Sequence, residues 1–136
     1  MPQGSILGPR LFNIFINDLI LFILETIICN FADDNTLFSC NPSYFVVKYT
    51  LQADVFRALD WFRANSLVAN PDKFQMIFLG TNQAEKNFFN FEGKLVYPSK
   101  SVKLLGVEIG DKLNFDTYIS NICKVVNNKE ISYLDK

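Results

Sequence analysis

Two adjacent carboxylates, Asp33 and Asp34, stand at the end of an apolar run, in Phe31-Ala32-Asp33-Asp34. Ile27, Ile28 and Cys29 precede them, and Asn35 and then Thr36-Leu37-Phe38 follow. Apolar strand residues on both sides of turn-forming Asp and Asn predict a β-hairpin with the acids at its tip. Neighbouring side chains on a regular strand point to opposite faces, so only a tight turn lets both carboxylates serve one site. Converging carboxylates repel, and a cation that neutralises both relieves the repulsion. A hard divalent ion with oxygen ligands, Mg²⁺ above all, is the natural partner. The same Asp-Asp-Asn string also describes an ordinary solvated turn, so the pair needs support from the rest of the chain.

Much other chemistry is excluded at once. The 136 residues contain no histidine, which removes histidine triads, imidazole acid–base catalysis and histidine-ligated zinc. Cys29, Cys40 and Cys123 are odd in number and lack metal-ligand spacing, which predicts three reduced, buried thiols of an intracellular protein. Hydrophobic residues at 49%, with fourteen phenylalanines, supply ample material for a core, in one domain or a piece of a larger one. A net charge of −1 argues against a free-standing nucleic-acid binder, which would show a basic face. Met1 leads directly into Pro-Gln-Gly-Ser with no basic n-region, so no secretory leader is expected. Leu11 to Phe31 is long enough to cross a bilayer, but Asn13, Asn17, Asp18 and Glu25 interrupt it and argue against a membrane helix.

The elements that must position the acids read as follows. Glycines at 4 and 8, Ser5 as a potential cap and Pro9 in a first turn open a helix on which Phe12, Phe15, Ile16 and Leu19 share a face. Asn13, Asn17 and Asp18 fall elsewhere on that helix; Asp18 reads as a solvated helix end. Leu21 to Thr26 leads into the hairpin without a clear boundary. Asn41-Pro42-Ser43 breaks the outgoing strand, and a second helix is predicted at about Thr50 to Asn65. Its apolar stripe is Leu51, Val55, Ala58, Leu59 and Phe62, with Asp54, Arg57 and Arg63 solvated. After the Asn70-Pro71-Asp72 turn, Phe74 to Leu79 predicts a well-buried strand, followed by a polar loop from Asn82 to Asn87. A hairpin around Glu92-Gly93 follows, then a strand from Val102 to Ile109 with Gly106 inside it as a bulge or close approach. A last helix from about Asp116 is expected to bury Phe115, Ile119, Ile122 and Val126, and Asn127 to Lys136 to fray.

Three blocks together carry a resemblance: Pro2-Gln3-Gly4-Ser5-Ile6-Leu7-Gly8-Pro9, Leu11-Phe12-Asn13-Ile14-Phe15-Ile16-Asn17-Asp18-Leu19, and Phe31-Ala32-Asp33-Asp34. They resemble reverse transcriptases, most closely those of jockey-like non-LTR retrotransposons. Downstream, Leu59, Trp61-Phe62, Asn65-Ser66-Leu67, Asn70 and Lys73 resemble the next block of that family, and Val102-Lys103-Leu104-Leu105-Gly106-Val107 the one after. The resemblance covers nearly the whole chain in the family's order, far more than a single motif would.

That resemblance implies an α+β fold, with residues 1–85 as the C-terminal part of a polymerase palm and residues 86–136 as the primer-grip strands and first thumb helix. It implies RNA-directed DNA synthesis by two-metal nucleotidyl transfer onto a primer 3′-hydroxyl. Asp33 would be a metal-binding catalytic aspartate and Asp34 its neighbour with a less direct role, holding Mg²⁺ or Mn²⁺, two ions in the complete enzyme. Gln3, Gly4 and Ser5 would position the incoming nucleotide and template. Phe31 and Ala32 would flank the primer terminus, Leu105 and Gly106 would lie in the primer grip, and Lys73 would protonate departing pyrophosphate; a solvated cation beside a turn is the alternative for Lys73. Partners would be an RNA template, a DNA primer and deoxynucleoside triphosphates in a nuclear or cytoplasmic setting. In the family a third aspartate and the fingers lie upstream of the Pro-Gln-Gly block. The 136 residues alone are therefore expected to be inactive and to bind nucleic acid weakly or not at all. Asn35 stands where relatives often carry Thr. The alternatives are a non-enzymatic remnant of a degenerate mobile element and, more distantly, a membrane-associated protein.

Overall fold

The structure, a computed structural model, describes residues 6–80, 88–91 and 93–134, the last stretch with side chains as far as residue 127. The predicted loop at 82–87 lies outside the described residues, as do Gln3, Gly4 and Ser5. The chain forms two compact units, residues 1–70 and 71–136. Helices and small antiparallel ladders make it α+β, as expected, although the described strands pair only two by two.

In the first unit, helix α1 (Gly8–Ile16) begins with Pro9 in its first turn and tightens into a 3₁₀ segment, Asn17–Phe22. A long helix α2 (Tyr44–Ala64) supplies the opposing wall. Between them, Ile16, Leu19, Ala58 and Trp61 are buried, with Phe12, Ile23, Ile28, Phe62 and Leu67 packed around them. Trp61 centres the cluster. Its ring lies 5.6 Å from that of Phe15 and 5.4 Å from that of Phe62, both inclined, the arrangement aromatic quadrupoles favour. The predicted face of the first helix is thus the buried one at Ile16 and Leu19, with Asn13, Asn17 and Asp18 exposed.

Helix α2 begins six residues before the predicted start at Thr50. The preceding strand ends at Phe38, the Asn41 side chain accepts from the Ser43 N–H at 2.9 Å beyond it, and the first turn follows directly. Periodicity missed that turn because Phe45 and Tyr49 are exposed, at 78% and 74%. The C-terminus is a Schellman motif. Ser66 N–H donates to the Arg63 carbonyl at 3.0 Å and Leu67 N–H to the Phe62 carbonyl at 2.8 Å, while Ser66 takes φ 57. The Asn65 side chain adds a bond to the Trp61 carbonyl at 2.9 Å. Trp61-Phe62 and Asn65-Ser66-Leu67 therefore anchor and end one helix.

One expectation is reversed at Asp54. It is fully buried, not solvated. Its carboxylate accepts from the Leu24 N–H (3.1 Å), the Glu25 N–H (2.8 Å), the Thr26 N–H (2.7 Å) and the Thr26 hydroxyl (2.8 Å). Arg57, one turn on, closes the ion pair at 2.5 Å. The passage from the 3₁₀ segment to the hairpin has no ladder of its own, so its N–H groups need an acceptor, and Asp54 is that acceptor. Burial alone pushes this carboxyl up; the bonds from Leu24, Arg57, Thr26 and Glu25 outweigh it and hold the group down to about 2. Arg63 is exposed, as expected, and pairs with Asp60.

The second unit is built on aromatic rings. Strands β3 (Phe89–Phe91) and β4 (Lys94–Val96) form the predicted hairpin, and Phe89, Phe91 and Val96 are buried with Phe78. Phe89 stacks on Phe91 at 5.6 Å and on Phe78 at 6.4 Å, and Phe74 meets Phe91 edge-on at 5.9 Å. Residues 74–79 are not a paired strand. They are tied singly, by the Ser99 N–H to the Met76 carbonyl (2.8 Å) and the Lys103 N–H to the Gln75 side chain (3.0 Å). Only Phe78 in that stretch is buried, so aromatic packing rather than a ladder holds it.

The predicted single strand at 102–109 is a hairpin, β5 (Ser101–Leu104) and β6 (Val107–Gly110), turning at Leu105-Gly106. Both turn residues have positive φ, 48 and 89, which is what a two-residue hairpin turn requires. Gly106 marks a turn, not a bulge. The last helix, α3 (Asp116–Leu134), starts where expected and continues to Leu134 rather than fraying from Asn127. Its stripe is not buried: Phe115, Ile119, Ile122 and Val126 keep 46%, 56%, 44% and 49% of their surface exposed. The three cysteines are free, as expected, but exposed rather than buried. No helix among the described residues is long and apolar enough to cross a membrane.

Asp54→Ala strands buried N–H groups and Arg57, and is expected to cost the first unit about 3–5 kcal/mol in urea titrations. A carboxyl lowered from 3.8 to about 2 contributes about 2 kcal/mol that is intact above pH 4 and lost as pH falls toward 2. Stability of the wild type should therefore drop across that window, and that of Asp54→Asn should not carry this component. Ser66→Gly removes the Cβ from a left-handed position and should raise stability by about 0.5–1 kcal/mol.

Candidate active site

The acids sit where a hairpin was expected. Strands β1 (Ile27–Phe31) and β2 (Asp34–Phe38) pair antiparallel with Phe31 opposite Asp34, which leaves Ala32-Asp33 as a two-residue turn. Ala32 takes φ 54, a left-handed value that costs an L-residue about 1–2 kcal/mol. The Asn35 side chain donates to the Asp33 carbonyl at 3.3 Å across the turn. Phe31, Ala32, Asp33 and Asp34 are all exposed.

Register decides which way the strand residues look. Opposed residues of an antiparallel pair share a face, so Ile28 and Leu37 lie on one side, and Ile28 packs against the core of the first unit. Asp34 lies on the other side with Phe31, Cys29 and Thr36. That alternation is also why Cys29 is exposed. Asp33 belongs to neither strand and projects from the turn. The hairpin therefore presents two carboxylates and a phenyl ring, 65% exposed, at one open end.

The legs of the hairpin are held by one stripe of α2. Asp54 takes the entry at Leu24–Thr26, as described, and the Thr50 hydroxyl bonds the Ser39 hydroxyl at 3.1 Å at the exit. Sequence reasoning missed this support. The signal was there in the polar spacing Thr50, Asp54, Arg57, four and then three residues apart on a helix, which faces the hairpin rather than water.

Two oxygen-donor acids match a hard divalent ion in kind. They fall short in number: no group of three His, Cys, Asp or Glu side chains that could hold a metal ion occurs among the described residues.

Of the other predicted site residues, Gln3, Gly4 and Ser5 lie outside the described residues, and Lys73, Leu105 and Gly106 lie in the second unit. Lys73 ends a 3₁₀ turn, Pro71–Lys73, and is exposed; its neighbour Asp72 pairs with Lys94. Leu105 and Gly106 form the β5–β6 turn, Leu105 being 52% exposed. Beside that turn, Lys103, Gly106 and Glu108 face Tyr118, Asn121 and Ile122 of α3 across a cleft of about 300 Å³.

Residues 1–109 match the family model for the reverse transcriptase (RNA-dependent DNA polymerase) domain. The RNA-directed DNA polymerase from the mobile element jockey of Drosophila melanogaster is 24% identical over 136 residues, covering 95% of this chain. The chain spans 15% of the length of that relative. No solved structure matches it. A family match that runs from the first block through the acid-bearing hairpin to β6 establishes that the chain belongs to the reverse transcriptase family.

Proposed function

We propose that the chain is part of an RNA-directed DNA polymerase and that Asp33 and Asp34 supply carboxylates for two-metal nucleotidyl transfer onto a primer 3′-hydroxyl. The observation that carries this reading is the exposed Asp33-Asp34 pair at a two-residue turn, inside the family match. When bound, divalent ions in such a site neutralise charge on the attacking hydroxyl and the departing pyrophosphate. The residues of this chain orient and admit: Ala32 leaves the turn free of bulk beside the acids, and the exposed Phe31 offers an apolar surface to a primer sugar or base. Lys73, held at a turn with its ammonium in solvent, carries a proton that a leaving pyrophosphate needs. Leu105-Gly106, at an exposed tip, grips the primer backbone. Residues 1–85 then belong to the palm, and residues 86–136 to the primer grip and the start of the thumb.

RNA template, DNA primer and deoxynucleoside triphosphates are the partners of the longer polymerase, with Mg²⁺ or Mn²⁺ as its cofactor. The 136 residues alone do not extend a primer on this reading, because Asp33 and Asp34, with no third ligand beside them among the described residues, make an incomplete cage.

In a longer polymerase carrying this segment, Asp33→Ala should reduce RNA-templated, Mg²⁺-dependent primer extension at least about 100-fold. Undiminished synthesis would remove Asp33 from the catalytic set. The purified 136-residue protein should give no extension product in the same assay, and a Mg²⁺-dependent product would overturn the proposed inactivity. Lys73→Ala should lower kcat by roughly 100-fold with little change in the KM for nucleotide, the mark of a proton donor.

A further inference from the structure

We propose that Asp54 is a positioning residue for the Asp33-Asp34 site, acting through both legs of the β1–β2 hairpin together with Thr50. This rests on the reading of Asp33 and Asp34 as cation ligands and adds the element that holds them in place.

The hairpin has little else to fix its orientation. It is a two-stranded ladder, and an isolated pair of strands is marginal in water. Ile28 is its contribution to the packed core, while Ile27, Phe31 and Phe38 keep 59%, 65% and 45% of their surface exposed. Without further restraint, a hairpin fastened by one side chain rocks about that contact, and its tip moves most. The polar stripe of α2 supplies the restraint at two points. Asp54 fastens three consecutive N–H groups and a hydroxyl just before β1, and Thr50, one turn away, fastens Ser39 just after β2. Thr50 is itself held, its hydroxyl reaching back to the Val46 carbonyl at 3.0 Å. Two anchors on one rigid helix, one per leg, set the direction in which the turn residues project.

Arg57 adds to this. Its ion pair balances the buried carboxylate, so Asp54 stays charged and keeps accepting while sealed from water. A carboxylate is suited to the task because its two oxygens take bonds along different directions from a strand entry that has no ladder of its own. Asn at this place would present one oxygen and an NH₂ toward N–H donors.

The test is amide hydrogen exchange, with Mn²⁺-induced broadening of backbone resonances, on the 136-residue protein and its Asp54→Asn and Thr50→Val variants. In Asp54→Asn, exchange between Ile27 and Phe38 should accelerate at least tenfold relative to exchange at Ala58–Phe62. Mn²⁺ broadening at Asp33 and Asp34 should weaken at least threefold. Thr50→Val, which removes one hydroxyl from a helix it leaves intact, should do the same to a smaller extent, and decides the matter if Asp54→Asn does not fold. Acceleration confined to Leu24–Thr26, or equal throughout the first unit, with unaltered broadening at the acids, would make Asp54 merely structural and overturn the proposal. Absence of broadening at Asp33 and Asp34 in the wild type at saturating Mn²⁺ would refute the reading of these acids as cation ligands, while unaltered exchange at Ile27–Phe38 in both variants would by itself overturn the positioning role of Asp54.

Discussion

A buried carboxylate with nowhere else to go organises the first half of this protein. Asp54 is sealed from water on α2, and a sealed charge is tolerated only when it is fully hydrogen-bonded and balanced. Leu24, Glu25 and Thr26 provide the donors because their backbone leaves a 3₁₀ segment without yet joining a strand. Each side thus satisfies a requirement of the other. The segment ends in one place because Asp54 is there, and the hairpin starts from that place. Such mutual satisfaction is strongly asymmetric: complete, it orders the chain; with one partner deleted, it leaves several unpaired groups at once.

Around that contact, α2 does three jobs along its length. Its first turns face the exit of the hairpin through Thr50, its middle holds the entry through Asp54, and its end packs Trp61 and Phe62 before the Schellman turn releases the chain at Leu67. A helix is rigid on this scale, so residues fastened to it at separate turns keep fixed relative positions. The second unit uses a different device. Its strands are short, and rings at 74, 78, 89 and 91 hold them by stacked and edge-on contacts.

Both hairpins that bear candidate site residues turn on strained backbone. Ala32 at φ 54 and Leu105 at φ 48 are L-residues in a conformation that glycine adopts freely. Each sits at an exposed tip, where a two-residue turn leaves the chain no alternative path. Strain of this kind survives only where flanking pairs over-determine it, here Phe31 with Asp34 and Leu104 with Val107. At both tips the outcome is a short, bare turn that lets another molecule approach the backbone.

Much of this was legible in the order of residues. Turn chemistry around Asp33-Asp34 and around Gly93 predicted hairpins, and the stripes through Ile16 and Leu19 and through Ala58 and Leu59 predicted which helix faces are buried, because those signals are local. The family followed from blocks in sequence order, and the match over residues 1–109 agrees. What sequence could not decide was non-local. Val102 to Ile109 alternates like one strand, and only the pairing of Leu104 with Val107 shows it folding back on itself. Phe74 to Leu79 has strand-like composition, yet a strand exists only where a partner forms a ladder. Asp54 reads as a solvated acid on a polar face, because nothing local tells that face it will meet the unpaired N–H groups of residues 24–26, some thirty positions earlier. The sequence by itself thus determined the carboxylate pair, its hairpin and its kinship. Tertiary structure alone decided what holds that pair in place, since a hydrogen-bond partner distant along the chain is chosen by folding and not by pattern.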